Sequence, residues 1–343
     1  MIDALSRFDE SAEAHSQALS ETRKAARFNL FEDEPRLLLA RIRLNQGKIE
    51  ESARLLEDAR RLNPRSRETR LLLLQQHLLL NDGKGVAEET SALHHLIPQG
   101  RAWYAGLLVN LLRNPLTSRQ VLASLPSHPS QIPVLQALAE GNVQPLLLRE
   151  ASSNLRGRAK PGEANPWVDR IVMPLVKHGN VAEARHLWSY FYAVEGEQNG
   201  VPFDGKFTGS AGSPFGWALP QNSGGVAELA GGALRLQYFG RKSATLAQQL
   251  ISLKPGIYRL RFDAVRMDGL MRDGLFWKVR CANGAELLRS PIRLSPAMRS
   301  YRTAAFTVPA SECPDQWLAL DGESQIDPQS VSASVESIEI ERM

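Results

Sequence analysis

The stretch GIYRLRFDAV, residues 256–265, decides the fold of the second half of the chain. Apolar side chains alternate with charged ones along it, and in an extended backbone alternate residues point to the same side. One face then carries Tyr258, Leu260, Phe262 and Ala264, and the other carries Arg259, Arg261 and Asp263. This period of two is typical of a half-buried β-strand. We therefore predict a strand with one face on a core.

The same alternation recurs in neighbouring segments. LFWKVRCA (275–282) places Leu275, Trp277, Val279 and Cys281 opposite Lys278 and Arg280. Further segments of this kind are ALRLQYF (233–239), RTAAFTV (302–308), QWLALDG (316–322) and VSASVESIEIE (331–341). Turn residues such as Gly, Pro, Asn and Asp separate them. Many short strands at this spacing predict an antiparallel β-sandwich.

The first half of the chain shows a helical pattern with a 34-residue repeat. Counted back from Pro64, the characteristic positions are Leu39, Ala40, Gly47, Ser52, Leu56 and Ala59; the next repeat has Leu73, Leu74, Val86, Leu93 and Pro98. The turn and second helix GKIEESARLL (47–56) return as GNVAEARHLW (179–188). Between them, prolines at 115, 126, 129, 133 and 145 predict short helices in place of regular repeats.

These repeats resemble the tetratricopeptide family over roughly residues 10–195, most strongly over 33–98. Arg36 and Arg70 depart from the pattern, because they stand where the family has a large aromatic residue. The resemblance implies an α-helical solenoid of stacked helix pairs, whose surface binds a protein or peptide and has no catalytic role.

A change of pattern begins at GVPFDGKFTGSAGSPFGW, residues 200–217. This stretch, the segment QQLISLKPGIYRLRFDAV (248–265) and the ending SIEIERM resemble the galactose-binding-like jelly rolls found among carbohydrate-binding modules. We expect Phe203 and Phe207 to be buried where the jelly roll begins. The resulting fold class is a multidomain α plus β protein, with a tetratricopeptide-like solenoid at 1–195 and a jelly-roll sandwich at 196–343.

The jelly-roll resemblance implies a carbohydrate site, which needs an aromatic platform and a few planar polar groups. The candidates are Trp217, Tyr238, Phe239 and Trp277, together with Arg235, Gln237, Arg261 and Asp263. The alternative for each aromatic residue is a place in the core. The resemblance also raises the option of a structural calcium ion with Asp204 as a ligand; otherwise we expect no metal and no cofactor.

Cys281 and Cys313 are the only cysteines. A disulfide between them would close a loop of 32 residues by numbering (313 − 281), contribute about 3–4 kcal/mol and indicate the periplasm or the extracellular space. The alternative is two buried thiols in a cytoplasmic protein. The first residues, MIDALSRFDESAEAHSQ, are charged where a signal peptide is apolar, so we expect no export signal in the sequence as it stands.

Charge and residue content argue against several functions. Basic and acidic residues number 25 and 22 before residue 196 and 16 and 15 from there on, so neither half favours nucleic acid. No run of about 18 apolar residues occurs, and we expect no membrane-spanning segment. All seven histidines precede residue 187, and no nucleophile, zinc or phosphate-binding motif is present. We expect no enzymatic activity.

Together these features predict a non-enzymatic binding or scaffold protein of a Gram-negative cell envelope. Its helical repeats would contact a protein partner and its jelly roll a glycan, in the assembly or export of a surface polysaccharide. Two alternatives stay open: a carbohydrate-active hydrolase or lyase that uses carboxylates of the sandwich, and a purely structural protein–protein adaptor.

Overall fold

The computed structural model describes residues 32–141, 144–160, 163, 165–194, 201–209, 211–268, 274–326 and 328–343, and a few positions between 17 and 28. From residue 32 on, the described chain forms ten α-helices followed by ten β-strands. It divides into two compact units, Met1–Ser153 and Asn154–Met343. The α plus β fold class predicted from the sequence is therefore confirmed.

The first unit is helical. Its helices are α1 (Glu34–Asn45), α2 (Ile49–Leu62), α3 (Arg67–Leu79), α4 (Gly83–Leu96), α5 (Arg101–Arg113), α6 (Ser118–Ser124), α7 (Gln131–Glu140) and α8 (Pro145–Ala151). The two regular hairpins, α1–α2 and α3–α4, coincide with the predicted repeats. The Pro-rich part that follows consists of short helices, as expected. None of the described helices has the length and apolar character that a bilayer-spanning helix needs.

The hairpin turns explain the 34-residue period in terms of the backbone. Gly47, between α1 and α2, has φ +72°, and Asn81, 34 positions later, has φ +53°. Only glycine adopts this left-handed conformation without cost, and asparagine tolerates it better than most residues. The same turn recurs at Gly179, with φ +78°, between α9 (Pro166–Lys177) and α10 (Val181–Tyr192). The predicted return of the hairpin near residue 180 is confirmed.

The second unit contains α9, α10 and a sandwich of two antiparallel sheets. Its strands are β1 (Gly225–Leu229), β2 (Leu234–Tyr238), β3 (Ala244–Ile251), β4 (Gly256–Asp268), β5 (Leu275–Cys281), β6 (Glu286–Pro291), β7 (Arg299–Arg302), β8 (Phe306–Val308), β9 (Gln316–Gly322) and β10 (Val331–Arg342). The larger sheet has the order β1-β2-β10-β4-β7, with β8 also paired to β4. The smaller sheet has the order β3-β9-β5-β6.

The core of the sandwich lies between the two sheets and follows the predicted alternation. The inward side chains of β4 are Tyr258, Leu260, Phe262 and Ala264, and all four are buried. Those of β5 include Leu275, Trp277 and Val279, which belong to the same core. Burial of this apolar surface is the main stabilising contribution to the fold.

The segment 201–217 joins the hairpin α9–α10 to the sandwich. Trp188 of α10 donates a hydrogen bond from Nε1 to Gly212 O at 2.8 Å, and its ring contacts those of Phe203 and Phe215. Phe203 and Phe207 are buried, as predicted. The domain limits 1–195 and 196–343 follow the change of secondary structure and stay a prediction.

Cys281 and Cys313 form a disulfide. Cys281 ends β5, and Cys313 lies just before β9, the neighbour of β5 in the smaller sheet. Both cysteines are buried. The predicted bond is therefore confirmed.

Candidate functional site

Three of the predicted aromatic residues lie in the core of the sandwich. Trp277 and Tyr238 are 0% and 1% exposed, and Trp217 is 5% exposed. The Trp217 ring packs on Phe207 and Trp277, and its Nε1 donates to Asp204 O at 3.0 Å. The alternative that the sequence left open, a place in the core, therefore holds for these three. Phe239, directly after β2, is half-buried.

The predicted polar residues lie on the outer face of the larger sheet. Arg235 and Gln237 are exposed on β2. Asp263 accepts a hydrogen bond from the Ser337 hydroxyl at 2.8 Å, while Arg261 lies 3.8 Å from the Glu341 carboxylate. No described aromatic side chain lies with them on this face as an exposed platform, so binding of carbohydrate by these four residues stays a prediction.

Asp204, the predicted calcium ligand, uses its carboxylate within its own loop. Oδ1 accepts from the backbone N–H and the hydroxyl of Thr208, both at 2.7 Å. Oδ2 accepts from the Gly209 N–H at 2.7 Å. These bonds hold the turn that begins the jelly roll. Within the described residues, no group of three or more His, Cys, Asp or Glu side chains has an arrangement suited to a metal ion.

A second group of polar side chains lies on the outer face of the smaller sheet, which we call the polar face. Paired residues of neighbouring strands point to the same side, so the register defines its rows. Thr245, Asp321 and Phe276 form one row, Gln248, Ala319, Lys278 and Arg289 the next, and Leu250, Trp317 and Arg280 the third. The face thus draws its side chains from four strands, of which β3, β5 and β9 are far apart in sequence.

A cavity of about 420 Å³ opens beside the first row. Its polar lining consists of the hydroxyls of Ser243, Thr245 and Ser324, the carboxylates of Asp321 and Glu323, and the ammonium group of Lys278. Thr245 donates to Asp321 Oδ1 at 2.7 Å. Lys278 Nζ lies 3.4 Å from Asp321 Oδ2 and 2.7 Å from Glu323 Oε1. The cavity therefore offers donors and acceptors that other side chains already orient.

Glu323 is the most strongly perturbed acid of this group. Hydrogen bonds from Arg289, at 2.6 Å and 3.2 Å, and from Lys278 lower the pKa of Glu323 to about 2. The Arg289 guanidinium also lies 4.0 Å above the centre of the Phe276 ring, a cation–π contact. Glu323 is consequently an anion, and a fixed acceptor, throughout the range of pH in which cells live.

Trp317 lies at the other end of the polar face. It is half-buried and stands between Leu250 and Arg280 across the sheet. It lies four positions before Asp321 on the same strand, which is about 13 Å at the usual rise of a β-strand. The face thus combines an aromatic ring at one end with an oriented polar cavity at the other.

Sequence reasoning missed the polar face for a definable reason. It selected Trp277 on β5 because tryptophan binds sugars well, but the period of two sends Trp277 inward and its neighbours Lys278 and Arg280 outward. This alternation alone could have predicted from the sequence that Lys278 and Arg280 face outward. The approach of Asp321 to Lys278 was not visible, because it depends on β9 pairing with β5.

Comparisons with known proteins give similarities of fold. The sequence matches no protein-family model and no curated protein. The N-terminal cellulose-binding domain of β-1,4-glucanase C from Cellulomonas fimi is 16% identical over 41% of this chain and 96% of that one, with a TM-score of 0.28. The carbohydrate-binding module CBM4 is 10% identical over 34% and 75%, with a TM-score of 0.29.

The helical part has a similar counterpart. YrrB, a TPR protein with an unusual peptide-binding site, is 10% identical over 52% of this chain and 93% of its own, with a TM-score of 0.26. Similarity at this level carries no argument about what the chain binds.

Proposed function

We propose that this chain is a non-catalytic binding protein whose polar face binds a carbohydrate and whose helical hairpins contact a protein partner. The observation that supports it is the cavity of Asp321, Glu323, Lys278 and Thr245 on the same face as the half-buried Trp317. Sugars present hydroxyl groups at the rim of an apolar ring face. A site for them therefore combines an aromatic surface with preoriented charged and hydroxyl groups.

The charges of the cavity favour binding over hydrolysis. A glycosidase needs one carboxylic acid that keeps its proton near neutral pH, and such an acid has a raised pKa. In Glu323 the pKa is instead lowered to about 2 by Arg289 and Lys278. This carboxylate is suited to accepting hydrogen bonds from sugar hydroxyls and unsuited to donating a proton to a leaving group.

The helical hairpins carry exposed apolar side chains on the first helix of a pair. Leu71 and Leu79 of α3 are eight residues apart and so lie on one face of that helix. Trp103 of α5 is 57% exposed, and both leucines are exposed as well. In this proposal these side chains supply the apolar contacts to a partner. We assign this surface to the protein partner.

The disulfide supports a place in an oxidising compartment. A carbohydrate-binding unit joined to a partner-binding unit in the periplasm or outside the cell would suit the assembly or export of a surface polysaccharide. We include this role in the proposal; it rests on the combination of the two binding surfaces.

The proposal is tested by affinity electrophoresis of the full chain through gels that contain soluble neutral or charged polysaccharides. We expect at least one polysaccharide to retard the protein. Trp317→Ala should weaken that retardation at least about tenfold in apparent Kd, because an aromatic anchor contributes much of the binding energy of a small site.

Trp103→Ala is the matched control, since it removes an exposed indole from the helical unit and should leave the retardation unchanged. Equal retardation of the Trp317→Ala variant and the unmodified protein would exclude the polar face as the site. Migration unaffected by every polysaccharide would exclude carbohydrate binding and favour the adaptor alternative.

A further inference from the structure

Strand β1 is the edge of the larger sheet, and in the part of the chain that the structure describes no strand pairs with its other side. The backbone bonds just before and just after β1 show which of its residues bond to β2. Gly224 O accepts from Phe239 N–H, and Ala230 and Ala233 bond to each other in both directions. In an antiparallel pair, residues whose N–H and C=O groups bond to the partner strand alternate with residues whose N–H and C=O groups point away from it. Residues 226 and 228 therefore face β2, while 225, 227 and 229 present their N–H and C=O groups outward.

The outward groups of β1 are only partly used. The Gly225 N–H is bonded to Asn222 Oδ1 at 3.1 Å. Within the described residues, no bond joins the outward N–H or C=O groups of Ala227 and Leu229 to another residue. Natural edge strands are usually protected by lysine, proline, a bulge or a covering segment. The five-residue β1 sequence GVAEL has one charged residue, Glu228, no lysine and no proline, and it pairs with β2 in regular register.

A groove of about 1190 Å³ runs along this free edge, and we call it the β1 groove. Ala227 and Leu229 line one wall. The other wall belongs to the same compact unit and includes Asp169, in the first turn of α9, and Tyr192, at the end of α10. The strand edge therefore faces a space that is already shaped, with a wall opposite it.

The described lining of the β1 groove contains the carboxylates of Glu163, Asp169 and Glu228 and no lysine, arginine or histidine. Glu163 is already paired with Lys160 Nζ at 3.4 Å, so the negative charge that the groove offers a ligand comes from Asp169 and Glu228. Asp169 is half-buried, and burial alone raises the pKa of its carboxyl. Within the described residues, no hydrogen bond or ion pair satisfies this carboxylate. A cation from a ligand would supply the missing partner.

We propose that the β1 groove binds an extended basic peptide, which adds to β1 as a further strand and places a lysine or arginine opposite Asp169. The backbone of the peptide pairs with the outward groups of Ala227 and Leu229, as in other cases of strand addition. Its side chains alternate, so a cation at every second position meets the acidic wall. This surface is separate from the polar face and does not depend on the proposed carbohydrate site.

The test measures fluorescence anisotropy of labelled heptapeptides with the full chain. The probe alternates lysine and valine, a second peptide has glutamate in place of lysine, and a third is the lysine peptide methylated on alternate backbone nitrogens. We expect saturable binding of the lysine peptide, and binding at least about tenfold weaker for the glutamate and methylated peptides, because one lacks the charge and the other the backbone donors.

Two protein variants examine the two parts of the site separately. Asp169→Asn removes the charge and should weaken binding of the lysine peptide at least about fivefold. Ala227→Pro removes an outward N–H and keeps the hydrogen bonds between β1 and β2, since residue 227 does not bond to β2, and it should weaken binding of the lysine peptide by a similar factor. Glu339→Gln is the matched control: this exposed carboxylate lies on β10 outside the groove and its loss should change nothing. Thermal unfolding verifies that each variant is folded.

Three results would overturn the proposal. The first is equal binding of the lysine and glutamate peptides, or none of either. The second is a concentration-dependent dimer that Ala227→Pro abolishes, which would assign the edge to a second copy of the chain. The third is displacement of the lysine peptide by a neutral oligosaccharide in the Trp317→Ala variant, which would assign the groove to a glycan. If Ala227→Pro does not fold, the methylated peptide tests the backbone bonds from the ligand side.

Discussion

His128 is a buried imidazole, and each of its ring nitrogens has a hydrogen-bond partner. Nδ1 accepts from the backbone N–H of Ser130 at 3.0 Å, and Nε2 lies 3.1 Å from Thr90 Oγ1. Because Nδ1 is an acceptor, the neutral ring carries its proton on Nε2 and donates it to Thr90. Burial, and in second place the charge of His94, lower the pKa of His128 to about 4. The fold thus requires the neutral ring.

This environment predicts a loss of stability in acid. The pKa of His128 is about 4 in the folded chain and 6.5 ordinarily, so the unfolded chain takes up the proton first as the pH falls. The contribution of the neutral His128 ring to the free energy of unfolding is complete above about pH 6.5 and is lost as the pH falls towards 4. Between about pH 7 and 4.5 the unmodified protein should lose about 2–3 kcal/mol more than His128→Gln, measured by urea unfolding of the helices with circular dichroism.

A histidine that does not act on His128 provides the control for this experiment. His186 of α10 is exposed and is not among the groups that shift the pKa of His128, so His186→Gln should keep the pH dependence of the unmodified protein. If His128→Gln and the unmodified protein lose the same free energy of unfolding in acid, the buried imidazole is not the group responsible.

At the scale of elements, the helical hairpins depend on a left-handed residue in the turn. A methyl group added at Gly47 would meet no atom within 4 Å, and the same is true of Gly106 in the middle of α5. The two positions differ in backbone conformation, because φ is +72° at Gly47 whereas Gly106 is helical. Identical substitutions at the two sites therefore isolate the contribution of the backbone.

The expected effects have opposite signs. Gly47→Ala should lower the free energy of unfolding by about 1 kcal/mol, because a Cβ is strained in the left-handed region. Gly106→Ala should raise it by about 1 kcal/mol, because alanine favours a helix interior over glycine. Urea unfolding of the two variants measures both. Two changes of the same sign would mean that the turn does not control the hairpin.

Much at this scale could be predicted from the sequence, because strand and helix periods are local. The inward face of β4 and the recurrence of the hairpin at residues 179–188 follow from periods of two and 34. Asn81 was less visible: it takes the place of Gly47 in the repeat, and a pattern that looks for glycine passes over it. Its left-handed φ shows that the turn needs a conformation and not a particular residue.

The candidate site was harder to predict than the elements that carry it. The outward direction of Lys278 follows from the alternation along β5, but its neighbours come from other strands. Asp321 reaches it because β9 lies beside β5, and Thr245 joins them because β3 lies beside β9. Strand order in a jelly roll is not sequential, so the residues that meet on one face are distant along the chain and no local period reveals them.

At the scale of the whole molecule, the disulfide belongs to one of the two units. The chain divides at Ser153 and Asn154, and Cys281 and Cys313, its only cysteines, both lie in the second unit. The 32-residue separation between them includes β6, β7 and β8. The bond therefore restricts a segment that contributes to both sheets, and the sequence of the first unit contains no cysteine.

Removing the bond should consequently destabilise one unit and leave the other unchanged. Closing a loop of this length contributes about 3–4 kcal/mol, which corresponds to about 10 °C in Tm for a unit of this size. Calorimetry of Cys281→Ala/Cys313→Ala should show the transition of the sandwich lowered by this amount. The transition of the helical unit should stay in place, and reductant should have no effect on the variant. A shift of both transitions would mean that the two units unfold together.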